Sequence, residues 1–219
     1  MTDPELILLL LADARLPVGG HTQSATLEGA LGRGLGAADV PGYLRTRLLS
    51  STRVEAGTAV VARATVERRG PLDPVERAWA ARTVSPALRD ASRVQARALL
   101  RFVRRTWPDV ARPLDDLARP SRATVLGAVA AGLGLGAGSL ARLVAYDDVQ
   151  TVCAAALKLL PLDPVTVAGW VVEALPGVAE VERAVSWAEL PSDIPACSAP
   201  QIEAWAQDHA ATTRRLFRA

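Results

Sequence analysis

Lysine is almost missing from this 219-residue chain: Lys158 is the only one, and every other cationic side chain is arginine. Aromatic residues make up 4%, so a core must be built chiefly from Ala, Leu and Val. Two cysteines, Cys153 and Cys197, are too few for a disulfide framework, and reduced thiols fit a cytoplasmic chain. Only two histidines occur, His21 and His209, and neither joins a His-Glu-x-x-His or a paired Cys-x-x-Cys motif. A metal cage within one chain, which needs several such ligands at close spacing, is therefore not expected. A surplus of positive charge is missing too. Twenty-five basic residues nearly balance 23 acidic ones, for a formal charge of +2. A general nucleic-acid binder usually carries a clear basic excess.

What is present is half hydrophobic and rich in strong helix formers. Length suits one domain with a core of its own. The run Leu6–Leu11 is preceded by Asp3 and Glu5 and by no basic residue, which is the wrong flank for a secretory signal. The uncharged stretch 123–141 is long enough to test as a membrane span, but Gly127, Gly132, Gly134, Gly136 and Gly138 interrupt it. It reads as a buried helix ended by a glycine turn, and no membrane partner is expected.

Local chemistry marks helix ends. Asp73-Pro74-Val75-Glu76 and Ser198-Ala199-Pro200-Gln201 look like capping boxes, and Ser85-Pro86 and Asp163-Pro164 like a cap followed by proline. Gly70-Pro71, Trp107-Pro108, Pro161 and Pro176-Gly177 look like stops. Helices are predicted at about 5–12, 24–33, 39–53, 55–69, 74–84, 86–106, 122–133, 139–160, 164–175, 177–188 and 199–213. Residues 107–120 are predicted to be a surface loop. No segment alternates with period two, so the predicted fold class is all-α, a single-domain bundle of about ten helices spanning 1–219 without a sheet.

No motif points to catalysis. Ser24 lies near His21 without a Gly-x-Ser-x-Gly elbow, and the glycines at 132–136 lack the Gly-Lys-Ser/Thr ending of a phosphate loop. No catalytic, metal or cofactor-binding residue is assigned. The informative corner is Leu16-Pro17-Val18-Gly19-Gly20-His21-Thr22-Gln23-Ser24-Ala25-Thr26-Leu27-Glu28. Pro17 ends one helix, Gly19 or Gly20 is expected to adopt a positive φ, and Thr22 or Ser24 can cap the next helix.

This corner resembles the urease accessory protein UreF family, whose members place an aromatic residue where His21 stands. Further blocks follow in the same order. Ser92-Arg93-Val94-Gln95-Ala96-Arg97 is similar to the family's Arg-x-Gln-Gly-Arg, and 125–136 to its Ala/Gly-rich helix. The segment 154–162, with Lys158, is similar to its Ala-Ala-x-basic-Leu-x-Pro-Leu, although Asp163-Pro164 replaces the following Gly-Gln. The tail from His209 to Phe217 keeps His209, Arg215, Leu216 and Phe217, with Ala210 and Thr213 in place of Glu and Tyr. The resemblance implies an all-α cytoplasmic protein, dimeric and without a tightly bound cofactor. It implies partnership with the D-type (or H-type) accessory protein, the G-type GTPase and the urease apoprotein in GTP-dependent nickel insertion, the nickel being handled by the complex. His209, Arg215, Leu216, Phe217, Arg93, Gln95, Arg97 and Lys158 become candidate partner-binding residues. Pro17, Gly19, Gly20, Ser24 and Glu28 form the structural motif.

One feature stands apart from the resemblance. Arg89, Arg93, Arg97, Arg101 and Arg105 recur every four residues, and with Arg104 against Asp90 the segment 86–106 carries a formal +5. Such a ladder repels itself unless acid lies opposite, either in this chain, on a partner or as nucleic acid. Rival readings are a helical DNA-binding repressor and a helical enzyme without a readable motif. Residues 1–42 carry a formal −3, which suits the repressor poorly. The segment 212–219, with Leu216 and Phe217 among arginines, reads as a docking tail whose alternative is to fold back onto the core.

Overall fold

The computed structural model describes residues 3–18, 20–213 and 216–217. Its α-helices are α1 (Pro4–Leu11), α2 (Leu27–Leu31), α3 (Val40–Leu49), α4 (Ser51–Glu67), α5 (Asp73–Arg82) and α6 (Pro86–Thr106), then α7 (Pro108–Ala111), α8 (Arg122–Leu133), α9 (Ala137–Leu159), α10 (Pro164–Val185) and α11 (Pro200–Ala211). Among the described residues there is no strand, and the helices form one domain.

Helix α4 runs through the middle because nearly all of its circumference is small and apolar or threonine. Ala56, Ala59, Val60, Val61 and Ala62 are all buried, and the Thr58 hydroxyl satisfies itself on the Val54 carbonyl at 2.7 Å. Its most extensive partner is α8, with α9 on another side. The α4–α8 approach depends on Gly127. A methyl group there would press into the Ala59 carbonyl and lie 2.6 Å from Ala62 Cβ and 2.8 Å from the Arg63 nitrogen. The predicted glycine turn is also present: Gly134 ends α8 in the left-handed conformation, with φ of 75°. Helix α10 covers α9 and α3, and α6 covers α8.

Several predicted boundaries are corrected. Pro176-Gly177 does not stop a helix; α10 runs through it to Val185. An interior proline costs about 3 kcal/mol. Val167, Ala174, Val178, Val181 and Val185 bury apolar surface on both sides of it, at about 1.5–3 kcal/mol for each fully buried valine. The break predicted near residue 54 falls at Ser50, whose backbone leaves the helical region and whose carbonyl accepts from Cys197 Sγ at 3.3 Å. Pro108 opens the single turn α7 inside the predicted loop. Ser85 and Asp163 cap as expected. Glu76 does not close a box on its own helix. It accepts from the Ser121 amide and hydroxyl, both at 2.8 Å, and so holds the start of α8. The α11 box is missing as well: Ala199 is the cap, with no side-chain bond.

Helix α10 is long and apolar enough to cross a membrane by length and composition. One of its faces is already packed on α9 and α3. The opposite face exposes Val165, Ala168, Val172, Leu175 and Ala179.

Candidate interaction site

The N-terminal corner is strained, but not at Gly20. Gly20 has no positive φ, and a Cβ there would meet nothing; Gly19 lies outside the described residues. Among the described residues of the corner, Ala25 (φ 49°) and Thr26 (φ 67°) are left-handed, a conformation costing roughly 1–2 kcal/mol per non-glycine residue. What holds them is the Ala25 carbonyl, which accepts from the Tyr43 hydroxyl and from Arg47 Nη1 at 3.0 Å. Nothing in the residue types at 25 and 26 announced this. The signal lay in α3, where Tyr43 and Arg47 stand one turn apart.

Arg47 also grips Asp148 of α9 through two bonds of 2.9 and 2.6 Å, and Thr52 donates to the same carboxylate at 2.7 Å. Burial by itself would raise the Asp148 pKa, but the facing guanidinium and the Thr52 hydroxyl hold it below the usual carboxylate range. Burial dominates at nearby Glu55 and pushes its pKa up, although Trp79 Nε1 donates to it at 2.6 Å. Arg47, Glu55, Asp148, Gln95 and Arg122 line one small cavity of about 120 Å³. Sequence reasoning had singled out only Gln95 among these, because lone charged residues in separate helices carry no spacing signal.

Glu28, read from sequence only as part of a motif, ties the two termini together. Its carboxylate accepts from the amides of Leu216 (2.7 Å) and Phe217 (2.9 Å) and bonds His209 Nε2 at 2.9 Å. Burial would raise its pKa, yet the two backbone donors and His209 outweigh that and leave it lowered. Phe217 is 4% exposed and belongs to the core, with the Lys158 ammonium 5.3 Å from its ring centre. Of the two readings of the tail, Phe217 takes the fold back onto the core, while Leu216 is 66% exposed. Its apolar ring finds a seat that Glu28 fixes at the backbone. Thus His209, Leu216, Phe217, Lys158 and Glu28 are brought together. Ser24 joins them by accepting from the Glu28 amide at 3.4 Å, and Pro17 stays exposed at the entrance to the corner. Arg215 lies outside the described residues.

Arg93, Gln95 and Arg97 sit on α6, apart from that latch. Arg93 leans over the Trp79 ring, 5.7 Å from its centre. Gln95 and Arg97 flank a groove shared with Thr22 and Gln23 of the corner. Ala96 is fully buried. Helix α11 connects the regions by packing on both α2 and α6, and the Gln207 side-chain oxygen Oε1 accepts from Ser85 Oγ at 3.1 Å and the Ala87 amide at 2.8 Å.

These features define a helical protein with a latched terminal segment, a basic helix face and no group of three or more metal-ligating side chains among the described residues. Comparison with known proteins narrows this. The UreF family profile matches residues 35–175. The urease accessory protein UreF of Mycobacterium marinum is 37% identical, covering 96% of this chain and 97% of that protein. Its namesakes in Mycobacterium bovis strain BCG / Pasteur 1173P2 and Mycobacterium tuberculosis strain H37Rv are 36% and 35% identical, again over 96% of this chain. The chain belongs to the UreF family of urease accessory proteins.

Proposed function

We propose that this chain is a non-catalytic assembly factor for urease, a scaffold that links the D/H-type accessory protein to the G-type GTPase while nickel is inserted into the urease apoprotein. The observation that carries this reading is similarity to urease accessory proteins over nearly the whole chain. The C-terminal segment supports it, because Leu216 stays outside beside a fixed backbone and so offers a pre-ordered contact. Nickel is cargo in this scheme and needs no resident cage here. The protein acts in the cytoplasm as a homodimer. Support for the dimer comes from α10, whose exposed Val165, Ala168, Val172, Leu175 and Ala179 follow the 3-4 spacing of a helix-pair seam.

The test is reconstitution in a host lacking its own UreF, with urease, the D/H-type protein and the GTPase co-expressed. Urease should gain nickel and activity only when this chain is present, while the isolated chain, sedimenting as a dimer, should hydrolyse no GTP. Equal nickel content without the chain would overturn the assignment.

A further inference from the structure

The arginine ladder of α6 is only partly explained by partners within the chain. Arg89 donates to the Thr83 and Val84 carbonyls at 2.6 and 2.8 Å. Arg104 pairs with Asp115 at 2.9 Å, and Arg119, opposite the helix, pairs with Asp90 at 3.1 Å. Arg97, Arg101 and Arg105 are exposed and make no hydrogen bond or ion pair to any described residue. They line one groove between α6 and residues 117–120, floored by Leu100, Leu117 and Pro120. Like charges one turn apart repel, so the arrangement favours an anion lying along it.

We infer that this groove is a docking site for an extended, acidic segment of a partner protein. The spacing matches an extended shape. Residues four apart on a helix are separated by about 6 Å along its axis. Alternate residues of an extended chain, which point the same way, are separated by roughly 6.5 Å. Carboxylates at every second position therefore meet Arg97, Arg101 and Arg105 in register, each accepting a forked guanidinium bond. The apolar floor suits a polypeptide. Nucleic acid fits less well, since no aromatic ring lines the groove for base stacking. The site holds whether or not the chain serves urease.

The experiment uses the purified full chain and fluorescent peptides. One has glutamate at alternate positions, separated by alanine; a second has the same composition with its glutamates in a block. An oligothymidylate of similar charge is the third probe. The alternating peptide should bind most tightly and weaken as salt rises. The double variant Arg101→Glu/Arg105→Glu should lose about tenfold in its affinity, two exposed pairs being removed and reversed. Arg68→Glu and Arg183→Glu, away from the groove, should change it little, and circular dichroism checks that every variant is folded. Equal binding of both peptides, tighter binding of the oligonucleotide, or indifference to the groove variants would each overturn the inference.

Discussion

The seams on either side of α4 are held in opposite ways. Towards α8 the contact is apolar and close, built from Ala59, Ala62 and Gly127. Towards the junction of α3 and α9 it is polar, with Arg47 tied to Asp148 and to the Ala25 carbonyl. The first seam specifies distance between helices. The second specifies which loop lies where, because Arg47 fixes the strained turn at Ala25 and Thr26 as well as α9. Packing of the first kind tolerates loss of a contact by partial collapse; a buried ion pair that loses one partner does not.

Removing a partner from the polar seam should therefore cost most. Asp148→Ala leaves Arg47 without its counter-charge and is expected to lower unfolding stability by about 3–5 kcal/mol, read by urea denaturation. Arg47→Met combined with Asp148→Leu should recover much of that loss. If the single and double variants unfold alike, the seam is not held by charge pairing. Next comes Gly127→Ala, which forces α4 and α8 apart against backbone atoms and should cost roughly 1–3 kcal/mol. A thermal melt unchanged from the parent would show that the close approach carries no specificity.

The smallest effect is expected at Glu28, outside both seams. Glu28→Gln keeps one acceptor oxygen but loses the charge, and should destabilise by about 1 kcal/mol at neutral pH. Because folding lowers the Glu28 pKa below its ordinary 4.5, the contribution is complete above that value and disappears as pH falls through the depressed one. The parent and the variant should thus converge in acid. A stability gap that stays constant from pH 7 to pH 3 would remove the carboxylate from the account.

Much of this was legible beforehand, and the reason is local. Ser85 and Asp163 cap the helices that follow them by accepting from amides three residues away, so neighbouring sequence is enough. Pro176 misled because its penalty is local while the valines that override it pack on α3 and α9. Glu76 misled similarly, since its spacing fits a box on its own helix and its actual donor is 45 residues away. The Arg47–Asp148 pair spans 101 residues and has no pattern at all. At the tail, composition allowed Phe217 to go either way, and the choice rests on Glu28, 189 residues earlier.

The solitary lysine has a practical consequence. Since Lys158 holds the chain's one side-chain amine and that amine lies against the Phe217 ring, acylating reagents are directed to a single addressable side chain beside the latch. Its rate of modification becomes a built-in gauge of whether the C-terminal segment is seated, readable by mass on the proteolytic peptide that carries Lys158, apart from the α-amine.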